Sequence, residues 1–230
     1  MKYISLPDTQ QRHLGFYLAM EEYVAHHVDE PDAFFLWQVE PSVIYGRHQV
    51  VGNEVNLDYC REHGIHVYRR KSGGGCVYAD RDNLMLSFVT SGDNVGFAFN
   101  RFLNMLLLVL RKIGVEAVGT RHNDVLVDGR KVCGTACYHL DGHCIVHSTL
   151  LYDTCMPHML NAITPSREKL EKKGVESVRQ RVGLLKDYTT LTLDEVKAVI
   201  RETLCEGERR LTVEDVAEIE RNERMKDEIM

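Results

Sequence analysis

Residues 125–146 read VLVDGRKVCGTACYHLDGHCIV, with Asp-Gly pairs at Asp128-Gly129 and Asp141-Gly142 between apolar runs. Asp and Gly both tolerate positive φ, which a tight two-residue hairpin turn requires, and Asp-Gly between apolar residues is a strong hairpin signal. One hairpin is therefore expected over Val125–Val132 and a second over Tyr138–Val146. Hairpins join antiparallel neighbours, so this stretch sets the architecture: a sheet built largely of antiparallel strands.

The flanking sequence extends that sheet. Phe34–Val39 and Val43–Tyr45 are short apolar runs separated by a proline and read as strands, as do His66–Arg70 and Cys76–Ala79 around a glycine turn. Leu84–Thr90 alternates Leu84, Leu86 and Phe88 with Met85, Ser87 and Val89, the pattern of a mostly buried strand. Helices are expected over Gln11–Val28, over Ala98–Ile113 with a stop at Gly114, and over Arg167–Lys173 before Gly174. Thr192-Leu-Asp-Glu195 fits a capping box opening a helix that runs to Leu204, and another helix is expected from Val213. The chain reads as α+β: a mixed, largely antiparallel sheet with packed helices. The pattern changes near residue 190, which suggests a main domain over residues 1–188 and a short helical extension over 189–230.

With 230 residues, 44% of them hydrophobic, the chain can bury a substantial core. A net charge of −6 without a basic stripe argues against nucleic acid as a partner. The opening MKYISLPDTQQRHLGF lacks the apolar run of a signal peptide, and the most apolar stretch, Phe102–Leu110, is too short to span a membrane. Seven cysteines without a CxxC spacing suggest neither a disulfide framework nor a zinc ribbon, so the expected setting is reduced and cytoplasmic. His139, His143 and His147, with Cys137 and Cys144 among them, match no standard zinc spacing.

Two segments carry chemistry. In Arg69-Arg-Lys-Ser-Gly-Gly-Gly-Cys-Val-Tyr78, three successive glycines between strands are costly in chain entropy. They make sense where the backbone approaches another molecule closely, with N–H groups free to meet phosphate or carboxylate oxygens. The segment is neither a P-loop nor a dinucleotide fingerprint, because GxxxxGK[ST] is absent and no helix follows. A flexible hairpin with a basic shoulder would share its composition. The second segment places Lys131 on the returning strand of the first hairpin, after Asn123 and Asp124. A strand-borne lysine can act as a point charge on a carbonyl or phosphate, and Asp124 could help hold Mg²⁺, which needs few protein ligands. An ordinary exposed hairpin with charged rims is the bland alternative.

Four segments in order, RRKSGGGCVYAD, NDVLVDGRKVCG, VHSTLL and KLEKKGVESVRQRV, together resemble the lipoate–protein ligase A family of the biotin and lipoate ligase superfamily. The resembling patterns are RRxSGGGxVxHD, NDLxVxGKKIxG, HHGTLL and KLxxKGIxSVRSRV. Phe35-Leu-Trp-Gln38 and Val43-Ile-Tyr-Gly-Arg47 also resemble the family's opening strands, and the likeness spans Gln11 to Tyr188. It implies a biotin/lipoate ligase-like, class II synthetase-like fold and a two-step reaction with ATP, Mg²⁺ and lipoate. Lipoyl-AMP would form first, and a lysine of an apo lipoyl domain would then take the acyl group. Such domains belong to 2-oxoacid dehydrogenase acyltransferase subunits and to the glycine-cleavage carrier protein.

By the same resemblance, Lys131 would be catalytic and bond the carboxylate and adenylate oxygens. Arg70, Ser72 and the Gly73, Gly74 and Gly75 backbone would border the lipoyl and phosphate end. Val77, Tyr78 and Ala79 would lie along the adenine, and Asn123 and Asp124 at the phosphate and metal. Asn83, Gly134, Thr135, Ala136, His147 and Thr149 would complete the lipoate and adenylate site, with Trp37 as a wall of the apolar tunnel. Ala79, Asp82 and Ser148 depart from the family pattern. Full ligases carry a C-terminal accessory domain, whereas here only Thr190–Met230 follows the likeness. The expectations are a separate partner protein, a minimal ligase, or an enzyme competent only for transfer from preformed adenylate. An octanoyl or lipoyl transferase of the same fold, working without ATP through a cysteine, is the main rival. The stretch where related transferases place that cysteine, Gly119-Thr-Arg-His-Asn-Asp124, has none. A non-catalytic binder of lipoyl or nucleotide ligands is the second rival.

Overall fold

The computed structural model describes residues 1–120, 124–164 and 181–227; the helix expected at Arg167–Lys173 and the side chain of Asn123 fall outside them. In chain order the strands are β1 (Lys2–Ser5), β2 (Asp32–Trp37), β3 (Ser42–Tyr45), β4 (His66–Arg69), β5 (Val77–Ala79) and β6 (Leu84–Ser91). They continue as β7 (Val118–Gly119), β8 (Asp124–Val127), β9 (Arg130–Leu140), β10 (His143–Leu150) and β11 (Glu208–Arg210). The helices are α1 (Leu14–His27), α2 (Val51–Glu54), α3 (Leu57–Glu62), α4 (Val95–Lys112), α5 (Met156–Ala162), α6 (Leu193–Leu204) and α7 (Val213–Asp227).

The main sheet runs β11-β1-β2-β6-β10-β9-β8-β7, and a small sheet runs β4-β3-β5. Both Asp-Gly turns form as expected, with Asp128 and Asp141 at positive φ, and they join β8 to β9 and β9 to β10. Along the main sheet every pairing from β2 across to β7 is antiparallel, while β1 runs parallel to β2 and β11; in the small sheet β3 runs parallel to β4 and antiparallel to β5. Alternation along β6 sorts the two faces of the main sheet. Leu84, Leu86 and Phe88 join the core under α4 and α6, and Met85 and Val89 join the core under α1 and α7. The small sheet, α3 and α5 share a third cluster around Tyr78 and Met159.

Local chemistry sets the helix ends. α1 opens at Leu14, later than the expected Gln11, because the Arg12 guanidinium grips both oxygens of Asp8 and the Gln10 carbonyl and holds the entry extended. α4 opens earlier than Ala98, because the Asn94 side chain caps the Phe97 N–H at 2.9 Å. The stretch after residue 188, expected as a helical extension, shares both cores of the main sheet. Val196 and Ile200 enter one and Leu211, Val216 and Ile219 the other, while β11 lengthens the sheet. Among the described residues no helix is long and apolar enough to cross a membrane.

The capping box at α6 is complete: Thr192 Oγ accepts the Glu195 N–H, and the Glu195 carboxylate accepts the Thr192 N–H at 2.7 Å. Because α6 seals one core, Thr192→Ala is expected to lower global stability by about 1 kcal/mol. Urea unfolding should then show a lower midpoint at unchanged slope; an unchanged midpoint would mean that α6 frays without loosening the core.

Candidate active site

Strand alternation alone gathers most of the site. On the face of the main sheet that meets α1, β2 presents Trp37, β6 presents Met85 and Ser87, and β10 presents His147 and Thr149. The register pairs Thr149 with Gly134 and His147 with Ala136 on β9, and Gly134 with Asp124 on β8. A β-bulge between Val125 and Leu126 then shifts the alternation at Val132. Val132 and Cys133 both turn into the opposite core, and Lys131 lands on the same face as Gly134 and Asp124.

Trp37, Met85, His147, Thr149, Gly134, Asp124 and Lys131 line a pocket with about 770 Å³ of empty space, its mouth included. That is room for a small molecule. Leu18 of α1, Trp37, Ile44, Val77 and Met85 make its walls apolar. The polar end holds Lys131, Asp124, Arg181, Thr149, Ser148 and His147, faced by Gly74 and Gly75 of the glycine turn.

At the polar end Lys131 Nζ lies 2.7 Å from Asp124 Oδ1, and Arg181 Nη2 lies 2.7 Å from Asp124 Oδ2. Burial pushes the Asp124 carboxyl up, but Lys131 and Arg181 outweigh it and leave the group below its ordinary value of 3.8. Gly134 lies beneath the lysine, and a Cβ there, 2.5 Å from Lys131 Nζ, would push the lysine out of this position. Two cations against one carboxylate leave this end net positive. Both Asp124 oxygens are occupied, and no cluster of three metal-binding side chains exists among the described residues. Asp124 is therefore the shared counter-ion of Lys131 and Arg181.

The glycine turn is pinned by Arg70, which is buried. Its Nη2 donates to the Gly73 and Gly75 carbonyls at 2.7 and 2.6 Å, its Nη1 to the Ile44 carbonyl and its Nε to Ser72 Oγ, both at 3.0 Å. Burial pulls the guanidinium down to about 10, still a cation at neutral pH. Gly74 sits at φ +92°, and its carbonyl packs so close to Gly46 that no Cβ fits there.

Of the expected residues, Arg70, Gly74, Gly75, Val77, Asp124, Lys131, Gly134, Thr135, Ala136, His147 and Thr149 line this pocket. Ser72 lies just behind it, with its hydroxyl 2.7 Å from His147 Nε2. Tyr78 points to the opposite side of β5, into the third core; Ala79 is buried; and Asn83 is held by Thr154 at 2.8 Å. Those three are not brought to the pocket. Arg181 and Glu21 had no assigned role. Arg181 is the penultimate residue of the quoted KLEKKGVESVRQRV segment, and Glu21 betrays itself as a carboxylate within the apolar stretch of α1. Burial pushes the Cys133 thiol up to about 11, whereas Cys76 reaches the pocket wall.

The fold and pocket together define an α+β small-molecule-binding domain that offers a strand-borne lysine to the polar end of an apolar cleft. The chain belongs to the lipoyl protein ligase A/B catalytic domain family, whose model matches residues 14–205. It is 39% identical over 173 residues to lipoate-protein ligase LplJ of Bacillus subtilis, covering 74% of this chain and 52% of that protein. With lipoate–protein ligase 1 of Staphylococcus aureus the identity is 35% over 229 residues, covering 96% of this chain and 69% of that one. The chain thus spans about half to two-thirds of the length of these curated relatives. Among solved structures, a bi-partite lipoate protein ligase of Thermoplasma acidophilum, studied with its E2 lipoyl domain, superposes with a TM-score of 0.83 at 25% identity, covering 97% and 91% of the two chains. A lipoate-protein ligase A bound with ATP shares the fold at a TM-score of 0.79 and 22% identity, covering 97% and 94%.

The lowered Asp124 carboxyl carries a sign. A depressed folded-state value stabilises the protein above the unfolded carboxyl range, and that stability is lost as pH falls through the folded value. Asp124→Asn is expected to cost about 2 kcal/mol at neutral pH and to flatten the acid side of the stability profile. Urea midpoints of both proteins from pH 7 down to pH 3 test this; parallel profiles would refute the coupling.

Proposed function

We propose that this chain activates lipoate with ATP and passes the lipoyl group to a lysine of an apo lipoyl domain. One observation carries the reading: the Lys131–Asp124–Arg181 cluster faces the glycine turn across the polar end of an apolar cleft. The apolar walls suit the hydrocarbon and dithiolane tail, and the net positive end suits its carboxylate and a phosphate.

In the first step a lipoate carboxylate oxygen attacks the α-phosphorus of ATP. The bond to pyrophosphate breaks, and the mixed anhydride lipoyl-AMP forms. In the second, the neutral amine of the acceptor lysine attacks the acyl carbon, the bond to AMP breaks, and the amine proton leaves to solvent. Lys131 acts as a fixed charge on the acyl and phosphate oxygens as negative charge builds there. Arg70 holds the turn's carbonyls, and among the described residues no hydrogen bond occupies the N–H groups of Gly73, Gly74 and Gly75. These donors can meet the same oxygens. No step is assigned to Mg²⁺ at Asp124; a divalent ion would arrive on the nucleotide's phosphates.

Relatives of this fold solved with ATP and with lipoic acid support both substrates. The bi-partite relative, studied with its E2 lipoyl domain, supports a lipoyl-domain acceptor. Acceptors of this class include 2-oxoacid dehydrogenase acyltransferase subunits and the glycine-cleavage carrier protein. Seven cysteines, with no disulfide among the described residues, accord with the cytoplasmic setting in which we place the reaction. A thiol route without ATP would fall to Cys76, because Cys133 is fully buried.

Single-turnover lipoylation of an apo lipoyl domain, from ATP plus lipoate and separately from synthetic lipoyl-AMP, tests the reading. Lys131→Ala should lose both activities by at least ~100-fold while the protein stays folded by circular dichroism, and Cys76→Ser should retain them. Transfer from an octanoylated carrier protein without ATP, abolished in Cys76→Ser, would replace the ligase by a transferase.

A further inference from the structure

Glu21 is fully buried on α1, and no part of it lines the pocket. A carboxylate in such a place needs partners, and it has them on two sides. Ser87 Oγ donates to Oε1 at 2.6 Å and itself accepts the Trp37 indole N–H at 2.9 Å. His147 Nδ1 lies 3.0 Å from Oε2. The other ring nitrogen, Nε2, lies 2.7 Å from Ser72 Oγ, which also accepts the Arg70 Nε–H at 3.0 Å. One continuous chain of hydrogen bonds thus joins the apolar wall at Trp37 to the glycine turn at Ser72.

Proton counting gives the chain a direction. Trp37 and Arg70 can only donate. Ser87 accepts from Trp37 and so passes its own proton to Glu21. Ser72 accepts from Arg70 and is placed to pass its proton to His147 Nε2, which puts the ring proton on Nδ1, toward Glu21. Every donor then has an acceptor, and both arms end on the one carboxylate. The buried Glu21 carboxyl and the Arg70 guanidinium are thus linked through His147 and Ser72.

We infer that Glu21 is a positioning residue for the proposed reaction, fixing the glycine turn through His147 and Ser72 without touching substrate. The inference rests on the ligase reading. Its sharpest probe is Glu21→Gln, which keeps the shape and replaces one acceptor oxygen by a donor. The amide facing Nδ1 forces the ring proton to Nε2. Ser72 then receives two protons and has no acceptor for its own.

The test is a double-mutant cycle of Glu21→Gln with Ser72→Ala, read on single-turnover transfer from synthetic lipoyl-AMP. Lipoate affinity is read in parallel from the fluorescence of Trp37, the single tryptophan. Each single change is expected to slow transfer by ~10-fold or more, and the double variant to be no slower than Ser72→Ala, the mark of residues acting as one unit. Multiplying effects, or an unimpaired Glu21→Gln, would overturn the assignment. Should Glu21→Gln fail to fold by circular dichroism, His147→Asn, which can still reach Glu21 but not Ser72, takes its place under the same criteria. Wild-type protein that neither binds lipoate nor transfers from the adenylate would instead sink the ligase reading itself.

Discussion

The Arg70 guanidinium is the pin on which the site turns. Three successive glycines have more backbone freedom than any other tripeptide, and ordering each residue costs on the order of 1–2 kcal/mol. A hairpin so composed would not hold its amides in one direction unaided. Arg70 supplies the order by bonding carbonyls on both flanks of Gly74 and tying them to β3 through Ile44. A buried guanidinium is itself expensive unless its donors are satisfied, so the two needs meet: the cation requires oxygens, and the turn requires its carbonyls held. Two arginines adjoin in this segment, and burial separates their roles. Arg69 is exposed and donates to the Arg47 carbonyl, whereas Arg70 is structural.

The opposite wall meets the same requirement by different means. A lysine on a regular hairpin would point wherever the alternation sends it. The bulge at Val132 sends two successive side chains inward and brings Lys131 round to the face of Asp124. The bare Cα of Gly134 then lets the lysine stem lie back along the strand. Gly183, whose N–H donates to the Lys131 carbonyl at 2.9 Å, brings Arg181 alongside. Rigid strand geometry thus holds the cations on one side, and a pinned loop holds amides on the other.

Most of this sheet was legible in the chain because hairpins are local. Asp128-Gly129 and Asp141-Gly142 announce their turns within two residues, and Leu84–Thr90 announces two buried faces by period alone. The parallel pairing of β1 with β11 could not be read that way, since it joins Tyr3 to Glu208 across nearly the whole chain and both strands are short. Lys131, the glycine turn, His147 and Thr149 were visible through their motifs. On β5 alternation gives Val77 to the pocket and turns Tyr78 to another core, a split that the motif alone does not show. Glu21 and Arg181 needed the third dimension, because each joins the site from an element distant in sequence.

The arrangement also bears on why the acyl group would go to another protein's lysine and not to this one. Lys131 faces the acyl end of the cleft, so proximity alone would favour its own acylation. An amine attacks a carbonyl only through a free lone pair. Lys131 Nζ is held 2.7 Å from a carboxylate that Arg181 and the lysine itself keep ionised, an ion pair that engages the nitrogen instead of leaving it free to attack. In the proposed reaction the acceptor lysine would find Asp124 already engaged, with both oxygens given to Lys131 and Arg181. In the proposed reaction one ion pair would therefore both set the charge at the reacting oxygens and withhold the nearest competing nucleophile.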